Sequence, residues 1–150
     1  MKLLLSSFGP SAAHDAALVA LVGKPLEQIR IAYIENAYDV YDDEASLVEG
    51  RESLRNDGYV FDLMDLREWR ADSDGLADHL KGFDAFLLTG GNPYYLRSLM
   101  KTTGADNILT DLVRAGAVYA GASAAAVVAG PTLRHFATST SSTTPQWLRS

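Results

Sequence analysis

The segment Tyr119-Ala120-Gly121-Ala122-Ser123-Ala124-Ala125 sets a serine in a Gly-x-Ser-x-small context, after a short apolar run and before a run of helix formers. Small residues around a serine suit a sharp strand-to-helix turn, because that turn crowds the backbone and lifts the serine oxygen to the top of a sheet. On this reading the N–H of Ala124 faces the oxyanion that develops on an attacked carbonyl. The fifth position, usually glycine, is Ala125. A plainer reading stays open: Ser123 as the N-cap of a small-residue helix. A second turn, Thr89-Gly90-Gly91-Asn92-Pro93, follows another apolar run, and its glycine pair can take positive φ and leave an N–H exposed to a crevice. A third, Ser6-Ser7-Phe8-Gly9-Pro10-Ser11, either serves backbone geometry alone or holds an anion at a helix start.

A serine hydroxyl attacks poorly near neutral pH unless a base takes its proton and a third group orients that base. The chain has three histidines. His14 falls in the first predicted helix, on an expected solvated face. His79 falls in the last turn of a helix before Gly82, where the dipole favours it. His135 lies beyond the helix that follows Ser123 and is the candidate base. Asp111 is the last carboxylate in the chain, so no acid follows His135 to fix its tautomer. Most carboxylates lie between Asp39 and Asp84 and read as a solvated acidic face. None has calcium-loop spacing, and no metal site is expected. Tyr38, Tyr41, Tyr94 and Tyr95 either line a pocket or pack against their own helices.

The elements that must position these groups alternate. Strands are expected at Lys2–Ser6, Gln28–Glu35, Tyr59–Met64, Phe83–Thr89 and Ala117–Ala120. Helices are expected at Ser11–Val22, Asp42–Asn56, within 65–81, at Pro93–Lys101, Ala105–Ala115 and Ser123–Ala129. This order predicts an α/β fold: an open, mostly parallel sheet of about five strands with helices on both faces, a three-layer α/β/α arrangement. Residues 1–136 form the expected domain. Residues 137–150, with seven consecutive Ser/Thr at Thr138–Thr144, read as an irregular tail.

The formal charge of −6 argues against a nucleic-acid partner. No apolar run is long enough to cross a membrane. The absence of cysteine excludes disulfides, thiolate metal sites and a cysteine nucleophile within the chain. These features fit a soluble, cytoplasmic protein.

The segments LLLSSFG, LLTGGNPYYL and YAGASAAAVVAGPTL together resemble the dipeptidase E (aspartyl dipeptidase) family of serine peptidases, which is related to the cyanophycinases. The resemblance covers roughly residues 1–136. It implies a fold like that of class I glutamine amidotransferases, with Ser123 as nucleophile and the N–H groups of Gly91 and Ala124 as the oxyanion hole. The implied substrate is a small peptide, a dipeptide with N-terminal aspartate, cleaved without metal or organic cofactor. Family members continue with further strands that carry the catalytic histidine, and they have an Asp-rich stretch after the GPTL phrase. Here residues 137–144 contain no carboxylate. The expectation is therefore a sheet lacking the family's C-terminal strands, truncated or diverged after about residue 136, and weak or absent turnover. Such a sheet exposes an apolar edge and is expected to form a homo-oligomer. The alternative is a non-catalytic α/β binding or self-associating module.

Overall fold

Strands covered on both faces need continuous apolar runs, and the chain supplies them. The computed structural model describes residues 1–133. Its five strands are β1 (Lys2–Ser6), β2 (Ile31–Ile34), β3 (Phe61–Leu63), β4 (Ala85–Leu88) and β5 (Val118–Ala122). They form one parallel sheet, as the alternating pattern predicts, with the strands in the order β1-β5-β4-β2-β3. Every residue of β2 and β4 is buried.

The period-two alternation of a strand divides these residues between two cores. Ala32, Ile34, Phe86, Leu88 and Tyr119 face one side. That side is covered by α3 (Ser73–Leu80), α4 (Pro93–Thr103), α5 (Ala105–Arg114) and α6 (Ala124–Val128). Ile31, Tyr33, Ala85, Leu87, Val118 and Ala120 face the other. There α1 (Ala12–Val22) contributes Leu18 and α2 (Glu44–Asn56) contributes Leu54. Side-chain caps start four of the helices: Ser11, Asp43, Asp72 and Asn92 each accept from an amide inside the first turn. The helices that follow β1 and β5 leave towards opposite faces, the arrangement that in open α/β sheets places ligand sites at the carboxyl ends of such a pair.

The boundaries differ from the sequence reading where short polar segments intervene. The second strand begins only at Ile31, because Leu26–Gln28 form a 3₁₀ turn set by Pro25. The third shrinks to Phe61–Leu63. The fifth runs on to Ala122, since Gly121 and Ala122 stay paired with Leu5 and Ser6 of β1. The helix after it is Ala124–Val128. His135 and the segment 137–150 lie outside the described residues.

His14 is buried, not solvated. Its Nδ1 lies 3.3 Å from the hydroxyl of Tyr59, which donates in turn to Asp15. Because the phenol proton goes to the carboxylate, the neutral imidazole that fits carries its proton on Nδ1. Burial lowers the pKa of His14, and the nearby Asp15 offsets this only in part. In the unfolded chain the imidazole takes up a proton below about pH 6.5. In the fold it does so only at lower pH, so the unfolded state binds more protons in that window and stability falls as pH drops through it. The melting temperature is therefore expected to fall between pH 7.5 and 5.5, with a shallower fall in His14→Gln. Identical slopes for the two proteins would refute this assignment.

Candidate active site

The register that pairs Leu88 of β4 with Gly121, and Ser6 of β1 with Ala122, brings three strand ends to one level. Ser123 follows directly on the central one. Its backbone has φ 50° and ψ −113°, and it is the one non-glycine residue with positive φ among the described residues. A residue with a β-carbon pays roughly 1–3 kcal/mol to hold such a conformation. The surroundings enforce it: the Ser123 N–H donates to the carbonyl of Ser6 at 2.9 Å, and the Ser123 carbonyl accepts from Val127 at 3.0 Å.

The N-cap alternative does not hold. The Ser123 hydroxyl makes no capping bond and is left exposed at the head of α6. The bend instead depends on what lies beneath it. A β-carbon at Gly121 would stand 2.7 Å from Cε1 of Tyr119 and 2.9 Å from the carbonyl carbon and oxygen of Ala125, so only glycine fits there. The expected glycine of the fifth position is replaced without conflict, because Ala125 lies buried inside α6.

The loop after β4 closes on the serine from the side. A β-carbon added to Gly90 would meet the Ser123 Cβ at 3.2 Å and its Oγ at 3.6 Å. Gly91 has φ 139°, and a β-carbon there would sit 2.3 Å from the carbonyl oxygen of Ala37. The same carbonyl accepts from the Asn92 N–H at 2.7 Å, while the Asn92 side chain caps α4 through the amides of Tyr94 and Tyr95. The amides of Gly91 and Ala124 have no hydrogen-bond partner among the described residues. One of these amides directly follows the strained serine in the chain, and the other directly follows Gly90, the glycine that packs against it.

The turn at Asn36–Tyr38, against which Gly91 packs, is itself anchored. Buried Asn36 donates to Asp39 at 2.9 Å and to Asp65 at 3.0 Å, and its oxygen accepts from the Leu66 amide at 2.9 Å. Tyr95 donates to Asp39 at 2.9 Å. The Arg67 guanidinium holds the Asp65 carboxyl down at about 2. Glu35, paired with Arg51, and both Tyr38 and Tyr41 line a hollow of about 260 Å³ beside this network. Tyr38 and Tyr41 thus take the pocket reading, while Tyr95 braces the loop. The sequence reading missed Asn36, Asp39 and Asp65 as supports. Asn36 and Asp39 share one turn, but Asp65 lies 29 residues from Asn36, and such a pairing leaves no periodic signal.

Of the histidines, His14 is engaged with Tyr59 on the far core, and His79 stacks between Trp69 and Phe83 at centroid distances of 5.5 and 5.7 Å. Neither is brought to Ser123. His135 lies outside the described residues. Among the described residues no group of three or more His, Cys, Asp or Glu is arranged to hold a metal ion, and no helix is long and apolar enough to cross a membrane.

A model of peptidase family S51 matches residues 3–147. The uncharacterized peptidase Lmo0363 of Listeria monocytogenes serovar 1/2a is 28 % identical over 109 residues, which is 72 % of this chain and 52 % of that protein. The uncharacterized peptidase Lin0382 of Listeria innocua serovar 6a is 37 % identical over 62 residues, covering 41 % of this chain and 30 % of its own length. Among solved structures, a candidate peptidase E from Listeria monocytogenes EGD-e superposes with a TM-score of 0.71 at 26 % identity, covering 92 % of this chain and 66 % of that one. A peptidase from an acI-B1 Actinobacterium shares the fold with a TM-score of 0.62 at 19 % identity, over 82 % and 54 % of the two chains. This chain therefore spans about half the length of Lmo0363.

The strain at the bend is measurable. Glycine adopts positive φ without a steric penalty, so Ser123→Gly is expected to raise unfolding free energy by about 1 kcal/mol after its entropic cost. Gly91→Ala is expected to lower it by about 2–4 kcal/mol, from strain and overlap with Ala37. Urea titration of both variants checks this, and a destabilised Ser123→Gly would remove the case for strain.

Proposed function

Because the chain belongs to peptidase family S51, we propose that it is a serine-type, peptidase-like hydrolase of small peptides. The observation that carries the proposal is the exposed Ser123, held at φ 50° against the loop of Gly90 and Gly91, with the amides of Gly91 and Ala124 unpartnered among the described residues. In this mechanism the Ser123 Oγ attacks the scissile carbonyl and its proton passes to a base. The carbonyl electron pair moves onto oxygen, where the Gly91 and Ala124 amides stabilise it. Collapse expels the leaving amine, which takes the proton from the base, and water then hydrolyses the acyl-enzyme. By resemblance the substrates are dipeptides with N-terminal aspartate.

With His14 and His79 engaged elsewhere, His135 is the histidine left to serve as base. Residues 136–150 hold no carboxylate to orient its ring, and turnover by these 150 residues is expected to be weak. The test is hydrolysis of an aspartyl dipeptide by the purified 150-residue chain. Slow cleavage, abolished in Ser123→Ala and reduced at least about tenfold in His135→Ala, is the expected result. Cleavage indifferent to Ser123→Ala would overturn the proposal.

One observation favours self-association as a second reading. Among the described residues β1 has a neighbour on one side only, and Leu3 and Leu5 on it are 45 % and 46 % exposed, with Phe8 just beyond at 84 %. Unpaired apolar edges invite pairing with another chain. Light scattering is expected to report a homo-oligomer whose population grows with concentration; a monomer at all concentrations would refute it.

A further inference from the structure

The strained bend must be held from beneath, and one side chain on β5 reaches it. Tyr119 is 5 % exposed, and its hydroxyl donates to the carbonyl of Ala125 at 2.7 Å. In a longer helix that carbonyl would accept from the amide four residues on. Here α6 ends in a tighter turn, in which the Val127 carbonyl accepts from the Gly130 amide at 3.0 Å. The phenol thus gives the Ala125 carbonyl a donor from outside the short helix. Five residues are too few for α6 to be stable through its own hydrogen bonds. Its end gains little, since the Arg97 guanidinium reaches the Val128 carbonyl only at 3.5 Å. Ring, glycine and helix turn are interlocked, because Tyr119 and Ala125 are the two neighbours that exclude a β-carbon at Gly121.

We propose that Tyr119 is the positioning residue of the elbow: its hydroxyl pins the first turn of α6 and so holds the Ala124 amide and the Ser123 oxygen in their attacking geometry. The role rests on the serine-hydrolase reading. Tyr119 touches no substrate and acts through Ala125. Burial raises its pKa, so the phenol remains a donor across any working pH.

Tyr119→Phe keeps the ring that packs beneath Gly121 and removes only the donor. Three readouts separate positioning from general stability, each taken on wild type, Tyr119→Phe and Ser123→Ala. The first is the rate of covalent labelling by a fluorophosphonate. The second is the kcat and KM for an aspartyl dipeptide. The third is amide exchange across residues 120–130 compared with β2 and β4. The expected result is a loss of about tenfold in labelling rate and kcat with KM within about twofold. Exchange should speed up around α6 and remain unchanged in the central strands. Wild-type labelling rate, kcat and exchange in Tyr119→Phe would overturn the proposal, as would a uniform rise in exchange across the sheet. If wild type shows no Ser123-dependent labelling or turnover, the hydrolase reading falls by itself. Exchange then decides the clamp: unchanged protection around α6 overturns it, and selective loss there retains it.

Discussion

The left-handed backbone at Ser123 is the constraint on which the rest of this structure turns. A residue with a β-carbon stays in that region only where the alternatives are blocked. Here they are blocked from three directions: by the pairing of β1 and β5 that runs to Ala122, by the Ser6 carbonyl on the Ser123 amide, and by Tyr119 beneath the turn. The outcome is an oxygen exposed at the sheet's carboxyl edge, with an adjoining amide that no backbone carbonyl of the described residues uses.

The second donor depends on a separate chain of contacts. The loop after β4 carries Gly91 because nothing larger fits against Ala37. Ala37 keeps its place through the fully bonded Asn36, which ties the ends of β2 and β3 together through Asp39 and Asp65. Buried polar groups that satisfy every bond rigidify their surroundings. The two sides of the bend are therefore held differently, one by strand pairing and a phenol, the other by a polar network anchored two strands away.

Much of this was legible in the residues. The apolar runs placed all five strands, and Asn92-Pro93 marked the start of α4 because the cap and the ring-locked φ are local chemistry. The small residues around Ser123 signalled a crowded turn. His14 misled, because the first helix is nearly all Ala, Leu and Val and offers no polar face from which to infer its orientation. Its partner Tyr59 lies far along the chain and meets it only across the second core.

The order of strands and helices along the chain, the caps and the crowded turn around Ser123 follow from composition and spacing, since those depend on neighbours within a few residues. Whether Ser123 capped a helix or stood on a bend depended on a backbone angle, and that angle is set by the pairing with β1 and by the packing beneath the turn. The same is true of Tyr119, which reads in sequence as one more apolar core residue. Only packing, by bringing the Ala125 carbonyl within reach of its hydroxyl, distinguished a core aromatic from a clamp.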